Sequence, residues 1–226
     1  MRLTPKSLLA RSKVIRRIYN GPPAQTSFEE IYATNLWGHG SGHGSLPSVT
    51  KSYRALVEQF VREHNVRTVI DYGCGDWQSS RLIDWNGADY LGIDVVPALI
   101  ERNQRLYASE RVRFQLGYRG EQGDMLIAKH VLQHLPNDAV QQFLSEVVPR
   151  FRYALITNDS TPVHTLNKDI AEAGYRALDV RLPPFGVDAV EVHRMGRNRP
   201  TFALRSRLRP LPPWASVVLL IDQQGH

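Results

Sequence analysis

Two acids and two glycines carry the clearest chemistry in this chain of 226 residues. In Thr68-Val69-Ile70-Asp71-Tyr72-Gly73-Cys74-Gly75-Asp76 an apolar run stops at a carboxylate and then at a Gly-x-Gly turn. A second apolar run, Tyr90-Leu91-Gly92-Ile93-Asp94, stops at an acid roughly 20 residues on, the interval of a nucleotide-binding unit. Glycines without Cβ let the main chain turn tightly and approach a ligand. The acid ending the second run can accept hydrogen bonds from ribose hydroxyls. His130 and His134 follow a third apolar run, Asp124 to Lys129. Imidazole titrates near neutral pH and can take a proton from a nucleophilic hydroxyl. Asn158 and Asp159 follow a further run, where they either face a substrate or turn the chain.

These residues need strands to hold them. Val66 to Asp71, Tyr90 to Val95, Val112 to Leu116, Asp124 to Lys129 and Tyr153 to Thr157 read as strands. The Asp124 run is apolar enough to be buried on both faces. Tyr53, Leu56, Val57, Phe60 and Val61 recur at helical spacing, which predicts an amphipathic helix over 51–63. Residues 28–35 suit a short helix and Trp77 to Asp84 another. Pro97 suits a first helical turn, and that helix runs to about residue 108. A further helix starts at Pro136-Asn137-Asp138 with Val140, Phe143, Leu144, Val147 and Val148 as its core stripe. Strands alternating with helices predict an α/β, Rossmann-like, doubly wound and mostly parallel sheet. After residue 175 the pattern changes: 188–195, 200–206 and 215–222 read as strands joined by proline-rich turns, so the sheet ends in antiparallel strands. The expected organisation is a basic N-terminal extension and glycine-rich lid loop over 1–50, then a single domain over 51–226.

Composition limits the setting. A lone cysteine excludes a disulfide framework and points to a reducing, cytoplasmic location. No apolar stretch is long enough to cross a bilayer. The N-terminal basic residues lack the apolar core of a signal peptide. The net charge of +6 gathers at the N-terminus and between Arg194 and Arg209. It fits either a solvated basic face or an anionic partner: phosphate, a carboxylated substrate, nucleic acid or a membrane surface. The loop Leu36-Trp37-Gly38-His39-Gly40-Ser41-Gly42-His43-Gly44-Ser45 reads as a lid, with Trp37 able to close over a ligand. His39 and His43 lie four apart, but on a glycine-rich loop that spacing predicts no metal site. A dinucleotide fingerprint requires Gly or Ala three residues after Gly75, where Gln78 stands.

At the three linked motifs the chain resembles class I S-adenosylmethionine-dependent methyltransferases. The resemblance spans residues 50–160 and is most specific at Asp124-Met125-Leu126-Ile127-Ala128-Lys129-His130-Val131-Leu132-Gln133-His134-Leu135. The Trp37 loop and the Asp76-Trp77 pair resemble one bacterial subgroup. The resemblance implies S-adenosylmethionine as cofactor, with Asp71 near its methionine amino group, Gly73 and Gly75 lining methionine and ribose, Asp94 on the ribose hydroxyls and Val95 near adenine. Asp76, Trp77 and Lys129 join that cofactor set, Trp77 as a wall of the methionine end. The subgroup tends to carry an acid where His130 stands. Gly117-Tyr118-Arg119-Gly120 replaces the usual adenine-reading acid or amide, and Tyr118 either stacks on adenine or forms a surface turn.

The leading function is methyl transfer to oxygen or nitrogen of a small molecule or glycan precursor, with an anionic acceptor compatible with the charge. His134, His130 and Asp159 are the catalytic candidates, Trp37 and Asn158 the substrate-binding ones. Two alternatives stand beside it: an RNA or other nucleic-acid methyltransferase, motivated by the basic C-terminal segment, and a catalytically inactive methyltransferase-like binding protein, motivated by His130 and the altered adenine segment. The chain lacks both a base-methylating Asn/Asp-Pro-Pro-Tyr motif and an aromatic-plus-basic cluster, which weighs against nucleic acid.

Overall fold

The computed structural model describes residues 27–161, 163–196 and 215–223. Five strands run parallel: β1 (Thr68–Tyr72), β2 (Asp89–Asp94), β3 (Val112–Leu116), β4 (Gly123–Lys129) and β5 (Phe151–Asp159). Two more, β6 (Val190–Gly196) and β7 (Ala215–Asp222), complete a seven-stranded sheet in the order β3-β2-β1-β4-β5-β7-β6. β7 pairs antiparallel with both β5 and β6. The doubly wound sheet with antiparallel C-terminal strands expected from the periodicity is the fold observed.

The apolar runs become central strands because both of their faces are covered. Along β1 and β4, Val69, Met125 and Ile127 pack on one side with Tyr53, Val57, Phe60 and Val61 of helix α2 (Lys51–Glu63). Ile70, Leu126 and Ala128 pack on the other with Val140, Phe143 and Val147. Helix α1 (Phe28–Ala33) is capped by Ser27, whose hydroxyl accepts the Glu30 N–H at 3.2 Å. Helix α3 (Pro97–Tyr107) begins at Pro97 as expected. Helix α4 (Asn137–Gln142) is shorter than its apolar stripe implied, since a π turn over Phe143–Val147 and a 3₁₀ turn over Val148–Arg150 continue it. Those turns still bury Phe143, Val147 and Val148.

One expected helix is absent. Trp77 to Asp84 forms turns with a single 3₁₀ turn at Ser80–Leu82. Trp77 has φ +58°, outside the helical region, which diverts the chain where a helix would start. Its indole finds compensation in the core, with ring centroids 5.5 Å from Tyr90, 5.0 Å from Tyr107 and 5.1 Å from Phe114. The strand expected at 200–206, the basic N-terminal segment 1–20 and Arg197, Arg199, Arg205, Arg207 and Arg209 lie outside the described residues.

Strand order sets the position of the site. β1 leads outward to β2 and β3, whereas β4 and β5 build in the opposite direction. The carboxyl ends of β1 and β4 therefore part at the switch point, where open α/β sheets bind ligands. Gly73, Asp94, His130 and Asp159 all stand on that edge.

Candidate active site

The glycine loop and the acid of β2 form one unit. Gly75 has φ +57°, and its N–H donates to Asp94 Oδ2 at 2.9 Å. The Val96 N–H donates to Asp94 Oδ1 at 3.1 Å, and Asn103 Nδ2 donates to the Gly75 carbonyl at 2.8 Å. Burial holds the Asp94 carboxyl above the usual carboxylate range, opposed by these backbone donors. Each carboxylate oxygen has a second lone pair beyond its backbone partner, which is the acceptor capacity a ribose diol requires. Beside it, Val95 is 59% exposed, and Leu116, paired with Asp94 in the β2–β3 register, is 42% exposed. Two apolar side chains left open at a strand edge suit the flat face of a base.

Asp71 is engaged from within the fold. Its Oδ2 accepts the Ser80 hydroxyl at 2.8 Å and the Tyr90 hydroxyl at 2.5 Å. Burial pushes it up to about 6, against the two hydroxyls and the Lys129 charge. Lys129 ends β4, and its Nζ donates to the Gly44 carbonyl at 2.7 Å. Burial pulls that ammonium down to about 8, against Asp71, Asp159 and Asp76.

The glycine-rich loop expected as a lid lies against this edge as a strap. The Ser41 hydroxyl donates to Asp76 Oδ1 at 2.8 Å and accepts the Asp76 N–H at 3.0 Å, while the Ser41 N–H reaches Asp76 Oδ2 at 3.2 Å. Tyr32 OH lies 2.9 Å from the same serine oxygen. Gln78, the residue that breaks the dinucleotide fingerprint, donates to the His39 carbonyl at 2.8 Å. A Cβ on Gly40 would strike Asp76, and one on Gly75 would strike Ser41 and come within 2.9 Å of Tyr32 OH. Strap and glycine loop thus meet at glycines on both sides. Trp37 stands on the strap with its ring 4.8 Å from that of His134. Beside the strap a cavity of about 590 Å³ opens between Glu29, Tyr32, Gly40, Asp76, Val96 and Arg102. Its size falls in the range of about 300–1,000 Å³ typical of small-molecule sites.

The third cluster lies where β4 and β5 end. His130 has φ +57°, and its N–H donates to the Thr157 carbonyl at 2.7 Å. Its Nδ1 is 3.2 Å from Gln133 Oε1 and 3.7 Å from Asp159 Oδ1. Its Nε2 is buried, has no hydrogen-bond partner among the described residues, and lies against Gly44 of the strap. Burial, then the Lys129 charge, hold this imidazole well below its ordinary range, opposed by Asp159. His134 differs: its Nδ1 lies 2.7 Å from the Gly174 carbonyl and its Nε2 faces Gln133 Nε2 at 3.5 Å. Asp159 is held by the hydroxyls of Ser216, at 2.5 Å, and Tyr175, at 2.9 Å. Asn158 is buried beside it, with Oδ1 unpartnered among the described residues.

Residues 70–149 match the family model of a methyltransferase domain. The match covers β1 through the turns that precede β5. Class I S-adenosylmethionine-dependent methyltransferases are the family the chain resembles in both sequence motif and fold. Among solved structures similar to this chain is magnesium protoporphyrin IX methyltransferase from Synechocystis with bound SAH, at 12% identity, 94% coverage of each chain and TM-score 0.53. Mitomycin 7-O-methyltransferase aligns at 15% identity over 96% of this chain and 68% of its own, with TM-score 0.55. Coclaurine N-methyltransferase aligns at 13% identity over 94% and 93%, with TM-score 0.52. Likeness at these identities is one of fold. No curated protein matches the chain in sequence.

Within this domain the expected residues divide by placement. Gly73, Gly75, Asp76, Asp94, Val95 and Lys129 stand along the crevice edge, and His130, Asp159 and Asn158 beside them. Asp71 is turned toward Tyr90 and Ser80. Trp77 lies in the core, because its positive φ swings the ring inward onto Tyr90, Tyr107 and Phe114. The Tyr118 hydroxyl donates to the Glu121 carbonyl at 2.6 Å. Sequence reading missed Gln133, Ser41, Tyr32, Tyr175 and Ser216. Gln133 occupied the variable place of the Val-Leu-x-His-Leu turn, and Tyr175 and Ser216 reach Asp159 only through the folded sheet.

Proposed function

We propose that this methyltransferase-like domain transfers a methyl group from S-adenosylmethionine to oxygen or nitrogen of a small molecule or glycan precursor. The observation that carries the reading is the hydrogen bond from the Gly75 N–H to Asp94 at the switch point of the sheet. It joins the loop that a cofactor backbone approaches to the acceptor that ribose hydroxyls need. Asp94, Gly73, Gly75, Val95 and Leu116 would hold the nucleoside, and Asp76 and Lys129 border the amino-acid end. The residues fit the group: Asp94 retains acceptor capacity, and its apolar neighbours stand open.

Bound S-adenosylmethionine supplies an electrophilic methyl on a sulfonium, so much of the rate comes from aligning the acceptor. His130 removes the acceptor proton through Nε2, the ring nitrogen with no other engagement among the described residues. His134 is the weaker candidate, since both of its ring nitrogens face protein partners. Asp159 steadies the His130 cation that forms. The strap excludes water when closed and must lift for ligands to reach Nε2 beneath Gly44.

Calorimetric titration with S-adenosylmethionine and S-adenosylhomocysteine tests the reading. Both compounds should bind and raise Tm. No heat and no shift at saturating concentrations would remove the assignment.

A further inference from the structure

Two histidines and one amide settle each other's protons. The Asp159 backbone N–H can only donate, and it lies 2.8 Å from a side-chain atom of Gln133, so that atom is the amide oxygen. The same oxygen lies 3.2 Å from His130 Nδ1. Two acceptors cannot share a hydrogen bond, so Nδ1 carries the hydrogen. A neutral imidazole has one N–H, and His130 Nε2 is therefore the lone-pair nitrogen.

The other end of the amide obeys the same logic. The Gly174 carbonyl can only accept, so His134 Nδ1, at 2.7 Å, carries the hydrogen there. His134 Nε2 is then an acceptor facing the Gln133 NH₂ at 3.5 Å, a long contact of the right polarity. All three partners are matched in polarity by one orientation of the Gln133 side chain, which is itself only 4% exposed. The Asp159 carboxylate cannot take over this task. Its Oδ1 lies 3.7 Å from His130 Nδ1, beyond hydrogen-bond range, and is engaged by Ser216.

We infer that Gln133 is a positioning residue that fixes His130 as the Nδ1–H tautomer and so presents Nε2 as the proton acceptor toward the methyl acceptor. The catalytic meaning of the inference rests on the methyl-transfer reading above; the tautomer itself does not. In the reaction the acceptor X–H bond breaks and its proton goes to His130 Nε2. The X–C bond forms as the methyl–sulfur bond breaks, and sulfur keeps that electron pair. His130 becomes an imidazolium whose Nδ1–H still points at the Gln133 oxygen, so no ring flip is needed. With the opposite tautomer Nε2 would bear a hydrogen and could not act.

The test is a two-bond ¹H–¹⁵N correlation on full-length protein with ¹⁵N-labelled histidine at pH 7, His130 being assigned from the spectrum of His130→Gln. The wild type should show a protonated Nδ1 and an unprotonated Nε2. Gln133→Glu keeps an acceptor oxygen for both donors and should retain the Nδ1–H of His130, while its second oxygen replaces the NH₂ that faces His134 Nε2. Gln133→Leu should lose it, showing Nε2–H or a mixture of tautomers. A wild-type His130 that carries its hydrogen on Nε2 overturns the inference, with no variant needed. So does a folded Gln133→Leu protein with the wild-type signature. With an acceptor in hand, Gln133→Leu should lower kcat at least tenfold with KM for cofactor unchanged, and Gln133→Glu should restore it. Because the spectrum needs no turnover, failure to bind S-adenosylmethionine would sink the methyltransferase reading while leaving the tautomer result to stand or fall alone.

Discussion

Asp94 and Gly75 are joined by a 2.9 Å hydrogen bond from the loop amide to the carboxylate, although 19 positions separate them in the chain. The carboxylate shapes the loop and keeps a further lone pair on each oxygen. Asp94→Ala strands the N–H groups of Gly75 and Val96, at about 1–3 kcal/mol for each buried donor left unpaired. Tm should fall. Losing two charge-assisted hydrogen bonds to a diol should also weaken S-adenosylhomocysteine binding by about 100-fold or more. Calorimetry checks both, and an unchanged Kd would remove Asp94 from the ligand site.

The strap is latched through one serine. Ser41→Ala removes hydrogen bonds to Asp76 and Tyr32, each contributing on the order of 1 kcal/mol. The opening equilibrium should shift on the order of 100-fold toward the lifted state. Chymotrypsin should then cut more quickly at Trp37, and stopped-flow traces should show more rapid ligand association. Equal cleavage rates in wild type and variant would mean that the latch does not limit opening.

Asp71 makes the pH dependence of stability testable. Its folded carboxyl is raised from 3.8 to about 6, so the folded state binds this proton more tightly than the unfolded chain does. The stability linked to that proton is fully present below pH 3.8 and is lost as pH rises through about 6. Asp71→Asn has no such titration. Relative to wild type, the variant should gain up to about 3 kcal/mol between pH 4 and pH 7. Urea unfolding at the two pH values measures the difference, and a flat difference would contradict the burial cost.

His130→Gln should lower kcat by about 10²–10⁴ with S-adenosylhomocysteine affinity retained. The wild-type acid limb carries a further signature. Burial and Lys129 depress the imidazole, and Asp159 only partly opposes them, so the base stays unprotonated where an ordinary histidine would be charged. Activity should therefore persist below pH 6.5, the ordinary imidazole value. An acid limb at or above that value would assign the titration to another group.

Much of the frame was legible in one dimension. The apolar runs at Val69, Tyr90 and Met125 announce strands because a strand covered on both faces cannot tolerate polar alternation. The helix over 51–63 followed from the spacing of Tyr53, Val57 and Phe60, a local property of a 3.6-residue turn. The helix expected after the glycine loop failed for an equally physical reason. Nothing in the residue types around Trp77 shows that its ring gains more from Tyr90, Tyr107 and Phe114 than the backbone loses by leaving the helical region.

By itself the sequence determined the class of sheet, the glycine loop, the acid that ends β2 and the presence of two histidines near β4. These depend on neighbours within a turn or a strand. Only the tertiary structure decided which histidine keeps a free nitrogen, since Gly174 engages one ring and Gln133 with Asp159 frames the other. It also decided that Asp71 answers to Tyr90 and that Ser41 grips Asp76. Each of these pairings joins residues that chain connectivity leaves apart, and hydrogen-bond polarity acquires meaning only once folding has brought donor and acceptor within 3 Å or so.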